Sequence, residues 1–212
     1  MDEAKFFKKK EQIIDIAAEI IMEDGYQTLS MRKIGSKIGM TAANIYNYYS
    51  NKDELNIAIR ARAGMILFDA LENAYQKGGA ISEKICFMIE AYARFGIVKA
   101  NYYSILFDMQ TPKFADYVAS PLEKLALKEK ESTEKSLALL QKCIRNLQEE
   151  GYCLPENTDP FLVMIWGQVH GLVSLYNNKL ISEINTTPEK TLQEATGLIH
   201  EILFRFIKKP EH

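Results

Sequence analysis

The chain of 212 residues is 47% apolar and 25% charged, fractions typical of a folded globular protein, which excludes wholesale disorder and collagen-like repetition. Eleven glycines and six prolines are few for that length, so a turn-rich all-β sandwich or barrel is excluded as well. With 26 basic against 28 acidic side chains the formal net charge is −2. No global positive field draws such a molecule to nucleic acid or anionic lipid, so any binding of that kind has to be local.

The first ten residues, Met1-Asp2-Glu3-Ala4-Lys5-Phe6-Phe7-Lys8-Lys9-Lys10, are basic, but Glu11, Asp15 and Glu19 interrupt the apolar residues after them, so they do not read as a secretory signal. Residues 161–175 form the longest apolar stretch. They contain Gln168, His170 and Ser174 and fall short of the ~20 residues that span a bilayer. Cys86, Cys143 and Cys153 are an odd set without a C-x-x-C pair, which argues against a disulfide framework and a thiolate zinc site. The expectation is a cytoplasmic protein with no membrane partner.

In chain order, Ile13, Ile14, Ala17, Ala18 and Ile21 recur at helical spacing with Asp15, Glu19 and Glu23 turned away, which predicts an amphipathic first helix closed by a left-handed Gly25. Ser30 caps a short helix carrying Ile34 and Ile38. Gly39 closes it, and Thr41 caps another helix with Ile45, Tyr48 and Tyr49. At residues 50–54, Ser50 or Asn51 caps a helix whose first-turn acids suit its dipole. It runs to about residue 76, where Lys77-Gly78-Gly79 breaks the pattern. Segments 81–99, 101–109, 121–150, 158–180 and 188–208 each show spacing near 3.6, and none alternates with period two. The mixed charges around residues 128–131 read as a solvated helix face. The fold class is all-α: a three-helix N-terminal domain and a C-terminal helical bundle, about nine helices in total.

The stretch 29–55 carries the functional signal. Gly35 lets two helices cross closely, Gly39 permits a turn with positive φ, and Met40 and Ile45 seal the angle, which is helix-turn-helix chemistry. The second helix of such a motif enters the major groove by its N-terminal end, where short side chains let the backbone approach. Ala42, Ala43 and Asn44 meet that demand. Asn44 is the candidate for a base-edge hydrogen bond, and the alanines for contact with thymine methyls. Thr41, Tyr46, Asn47, Tyr48 and Lys52 are candidate phosphate donors, and Arg32 reaches either a phosphate or a guanine. Within residues 25–60, five basic side chains (Arg32, Lys33, Lys37, Lys52, Arg60) stand against Asp53 and Glu54, a local +3. Lys5, Lys8, Lys9 and Lys10 add a basic arm near the DNA backbone.

Over about residues 10–56 the chain resembles the tetracycline-repressor (TetR) family of bacterial transcription regulators. The matching features are the first helix ending in Gly25-Tyr26, then Leu29-Ser30-Met31-Arg32-Lys33-Ile34, Gly39-Met40-Thr41, Ile45-Tyr46-Asn47-Tyr48-Tyr49 and Asn51-Lys52-Asp53-Glu54-Leu55. Gly35 and Ile38 stand where the family more often has alanine, and Tyr49 where it has phenylalanine. The resemblance implies a homodimeric regulator with an N-terminal helix-turn-helix and a C-terminal domain for dimerisation and ligand sensing. The carry-over to DNA contacts is firmest for Tyr46 and Lys52.

In the second half, residues 161–176 are apolar nearly all round, which predicts a helix buried on more than one side. Gly167, Gly171 and Ser174 form a small-residue strip. The last helix presents Leu192, Ala195, Leu198, Ile199, Ile202, Leu203 and Phe206 on one broad face. Paired with symmetry mates, these two helices make an isologous four-helix interface, with Gly167, Gly171, Ser174, Leu198, Ile202 and Phe206 as candidate contacts. Trp166-Gly167-Gln168-Val169-His170-Gly171 also resembles the Trp-x-x-x-His-Gly (WHG) signature of one C-terminal class in the family. Candidate ligand-pocket residues are Phe68, Met88, Tyr92, Phe95, Tyr103, Phe107, Tyr117, Trp166 and His170, with Arg94 a partner for an acidic ligand or a solvent-facing arginine. His170 reads first as a hydrogen-bonded packing residue. It makes no metal-binding spacing with His200 or His212, so no metal or cofactor is expected.

The sequence thus predicts residues 1–56 as the DNA-binding domain and 80–212 as the ligand-sensing and dimerisation domain. Its partners are double-stranded operator DNA, a second copy of the chain and an unknown small apolar or amphipathic ligand. No nucleophile elbow, Walker loop or dinucleotide fingerprint suggests an enzyme. The alternative is a helical dimeric interaction protein without ligand-controlled operator binding.

Overall fold

Ten α-helices and no strand occupy the described part of the chain, residues 3–209 of the computed structural model; residues 1, 2 and 210–212, His212 among them, lie outside it. The helices are α1 (Glu3–Asp24), α2 (Met31–Ile38), α3 (Ala42–Tyr46), α4 (Lys52–Lys77), α5 (Ile81–Val98), α6 (Ala100–Phe107), α7 (Glu123–Glu149), α8 (Asp159–Asn177), α9 (Ile181–Ile184) and α10 (Pro188–Phe206). The four-residue α9 is the element that the predicted periodicity does not contain. None of these helices is long and apolar enough to cross a membrane.

By packing, the chain divides into Met1–Ile66 with Asn101–Glu134, and Leu67–Ala100 with Lys135–His212. The boundary falls inside α4, before the Gly78-Gly79 break. In the first unit α1 packs on α2 and α2 on α3, and Ile13, Ala17, Ala18, Ile20 and Ile21 of the α1 stripe are fully buried, as are Ile34, Ile45, Leu55 and Ile59. A second small core joins Ile57, Tyr117 and Ala126.

Local chemistry sets the breaks. Ser30 Oγ accepts from the Lys33 amide and Thr41 Oγ1 from the Asn44 amide, so both short helices are capped as predicted. Gly39 is left-handed at φ 70°, ψ 33°. Gly25 also has positive φ, 82°, but with ψ 158° its backbone is extended rather than left-handed helical. It leads into a 3-10 turn, Tyr26–Thr28, in place of the expected cap. A Cβ at Gly35 would lie 2.5 Å from the Met40 carbonyl oxygen, which is the close approach that makes glycine useful there. Asn51 caps α4 through its side chain, while the Glu54 carboxylate reaches back to the Ser50 amide.

In the second unit α5, α8 and α10 pack together. Leu192, Thr196, Ile199 and Leu203 of α10 are buried, and Leu198, Ile202 and Phe206, about a quarter-turn round the helix from them, are exposed, so the broad face expected for this helix is only partly covered within one chain. On α8 only Phe161, Val169 and Val173 are buried, and Val163, Met164, Trp166 and Leu175 are exposed. The expected burial of α8 on more than one side is therefore not met within one chain.

Candidate nucleic-acid interface

Helix α3 is five residues long and is held by one anchor, Ile45, whose side chain is fully buried. That anchor turns the remainder outward. Ala43 and Asn44 are exposed, Ala42 is half-buried, and Thr41 is exposed with its oxygen accepting the Asn44 amide, which leaves its hydroxyl proton free to donate. Tyr46 and Asn47 follow on the surface. Tyr48 is half-buried because its ring stacks on Phe6 of α1, centroids 4.8 Å apart. Arg32 lies exposed in the first turn of α2.

The electrostatics differ from the charge balance read along the sequence. Lys33 pairs with Asp24 and Lys37 with Glu23, both at the end of α1. Arg60 is buried, with Nε 3.3 Å from Glu129 Oε1. Lys52 lies 4.1 Å over the Tyr26 ring and donates to the Gln27 carbonyl, and burial lowers its pKa from the usual lysine value. Of the five cations in residues 25–60, Arg32 alone keeps an unpaired, exposed charge among the described residues. The local +3 is largely cancelled by residues that lie outside that window. The basic N-terminus is part of α1, not an extended arm; Lys9 donates to Gln12 and Lys10 lies over Tyr49.

Behind α3, the start of α4 is fastened by buried and part-buried polar contacts that sequence reasoning missed. Tyr26 donates to Asp53 at 3.0 Å. Asn56 donates both to the Tyr117 hydroxyl and to the Pro112 carbonyl. Arg60 Nη1 donates to the Ile105 carbonyl. Arg62 pairs with Glu11 and Asp15, and Tyr102 donates to Asp15 at 2.7 Å. The available signal was Asn56 and Arg60 among Leu55, Ile57 and Ile59, polar residues at positions whose neighbours are all core.

The pocket candidates fall in both units. Tyr103, Phe107 and Tyr117 belong to the first, and Phe68, Met88, Tyr92, Phe95, Trp166 and His170 to the second. The second set contains a three-residue contact: Trp166 Nε1 donates to the Tyr92 hydroxyl at 2.8 Å, which lies 3.2 Å from His170 Nδ1. His170 is thus the hydrogen-bonded histidine anticipated from sequence. Met88 touches the Cys143 sulfur at 3.5 Å, and Arg94 faces solvent. On α8, a Cβ added at Gly167 or Gly171 meets nothing within 4 Å. The small-residue strip is open in the single chain, alongside exposed Leu198, Ile202 and Phe206 on α10.

Residues 13–59 match the family described as bacterial regulatory proteins, tetR family. The fatty acid metabolism regulator protein of Bacillus subtilis (strain 168) is 29% identical over 82 residues, 38% of this chain and 42% of that protein, so the chain matches less than half of that relative's length. Among solved structures, the fatty acid degradation regulator FadR from Bacillus halodurans superposes with a TM-score of 0.68 at 23% identity, covering 92% of this chain and 94% of that one. FadR from Bacillus subtilis in complex with stearoyl-CoA gives 0.69 at 18% identity, covering 95% and 99%. These likenesses extend the shared fold to nearly the whole chain. The likeness to the tetR family of bacterial regulatory proteins thus rests on residues 13–59, the helix-turn-helix segment, and the solved structures share the fold of the whole chain.

Proposed function

We propose that the protein is a dimeric transcriptional repressor that grips a pseudo-palindromic operator with its two copies of α3 and releases it when a long-chain acyl thioester binds the helical domain. The observation that carries the reading is the form of α3: a capped N-terminal turn presenting Ala42, Ala43 and Asn44 over a single buried anchor. Such a turn approaches base edges closely. In this reading Asn44 reads a base, and Arg32, Thr41, Tyr46, Asn47, Tyr48 and Lys52 position the duplex. Residues 1–56 are the DNA-binding domain, 80–212 sense ligand and dimerise, and a role on DNA places the protein in the cytoplasm.

The acyl thioester follows from the stearoyl-CoA bound by the B. subtilis FadR of like fold. The aromatic and Met side chains of α4 and α5, together with the WHG-like Trp166-x-x-x-His170-Gly171, supply an apolar lining with a few polar handles. The open strip of α8 and the outward face of α10 supply the dimer contact. A coupling of about 1–3 kcal/mol between ligand and DNA sites suffices for regulation.

Selection of genomic DNA with the purified protein, followed by sequencing, tests the proposal. An inverted repeat with half-sites ~34 Å apart is expected, and stearoyl-CoA added to the complex releases the enriched duplex with a change in Trp166 emission, Trp166 being the sole tryptophan. No preference over random competitor at moderate salt overturns it.

A further inference from the structure

The helix-turn-helix is short of free cations. Lys33, Lys37 and Arg60 are paired with acids, Lys52 lies on Tyr26, and Arg32 is left. A duplex, by contrast, is held largely through neutralised phosphates and released counterions. In the same packing unit, the first turns of α1 carry Lys5, Lys8, Lys9 and Lys10, and none of them pairs with an acid among the described residues.

Two ring contacts fix where these lysines stand. Phe6 stacks on Tyr48 with centroids 4.8 Å apart and planes 22° from parallel, and the Lys10 ammonium lies 4.8 Å over the Tyr49 centroid. Tyr48 and Tyr49 come just after α3 and its C-cap Asn47, so the start of α1 is held at the C-terminal end of that helix. At about 100° per residue, Lys9 and Lys5 lie about 60° and 100° from Phe6 on one flank, Glu3 lies about 60° away on the other, and Lys8 points nearly opposite. The Lys5 flank is also the one on which Glu23 of α1 pairs with Lys37 of α2.

We infer that Lys5 and Lys9, held beside α3 by the Phe6–Tyr48 stack, form a second phosphate-binding surface that clamps the backbone flanking each operator half-site. This rests on the DNA-binding reading above and adds to it a site outside the helix-turn-helix. The surface contributes affinity and salt dependence without sequence choice, because phosphate contacts carry no base information.

The test measures binding of the intact protein to a labelled random-sequence duplex across a salt series, repeated with the duplex enriched from genomic DNA. The logarithmic salt slope falls by about 0.9 for each phosphate that is no longer neutralised. The double variant Lys5→Gln/Lys9→Gln is therefore expected to lower it by about two to four in a dimer, with its ranking of selected over random duplex retained. Lys8→Gln leaves the slope near that of the parent. Phe6→Leu, which removes the stack and no charge, lowers the slope part of the way. An unchanged slope in the double variant, a Lys8→Gln effect as large as that of Lys9→Gln, or a parental slope in Phe6→Leu overturns the inference. A parent protein that does not distinguish enriched from random duplex sinks the proposed function instead, and the random-duplex slopes still decide this one.

Discussion

Arg60 Nε lies 3.3 Å from Glu129 Oε1, with both side chains almost wholly buried, yet neither of these two atoms makes a hydrogen bond. Arg60 binds instead through Nη1 to the Ile105 carbonyl and Thr111. The pair joins α4 to α7 by charge more than by directed bonding. Burial raises the Glu129 pKa from the usual glutamate value, and the arginine opposes that rise.

Removing one partner leaves the other charge uncompensated. Arg60→Met is expected to destabilise the fold by about 3–5 kcal/mol, whereas the double variant Arg60→Met/Glu129→Leu recovers much of the loss because no buried charge remains. Urea denaturation of both single variants and the double closes the cycle. Additive effects of the two substitutions contradict a coupled pair.

The tyrosines give a pH dependence at the alkaline end. Burial raises the phenol pKa of Tyr26, Tyr49, Tyr102 and Tyr117, with Asp53 adding to the effect at Tyr26 and the hydrogen bond to Asp15 adding at Tyr102. An unfolded tyrosine loses its proton near pH ~10. Above that pH the folded chain holds protons that the unfolded chain has released, so stability falls as pH rises. Phenolate absorbance is expected to show only part of the 11 tyrosines ionising before near-ultraviolet circular dichroism is lost. Ionisation of all 11 in the native protein refutes this.

What the sequence made legible is local. The caps at Ser30 and Thr41, the left-handed Gly39 and the anchor Ile45 depend on residues within one or two turns, and each stands where spacing placed it. The charge balance misled because its partners are distant. Glu129 neutralises Arg60 from another helix, and Asp24 and Glu23 neutralise Lys33 and Lys37 from just outside the window of residues 25–60. The inclusion of 101–134 in the first packing unit was equally illegible, since it rests on contacts such as Asn56 to Tyr117 that no periodicity encodes.

Gly39 isolates the energetic cost of backbone strain. A Cβ there meets nothing within 4 Å, so Gly39→Ala creates no clash and its cost is conformational, about 1–2 kcal/mol for an alanine held at φ 70°. Thermal unfolding measures the destabilisation. Asparagine tolerates this backbone region better than alanine, so Gly39→Asn is expected to cost less. Equal stability of the alanine variant and the parent means that the turn has moved.

The open strip on α8 predicts a substitution that affects assembly and spares the chain's own fold. A side chain at Gly171 enters free space in the single chain, so Gly171→Leu leaves the packing of α5, α8 and α10 intact. If two copies meet through this strip, the added isobutyl group holds the helices apart, because small residues are what permit the close approach. Sedimentation equilibrium is expected to show Gly171→Leu as a weakened dimer or monomer with parental far-ultraviolet circular dichroism. The corresponding change on α10, Ile202→Glu, is expected to weaken association as well, by placing an uncompensated charge in the contact. A parental dimer constant in both variants moves the interface elsewhere on the chain.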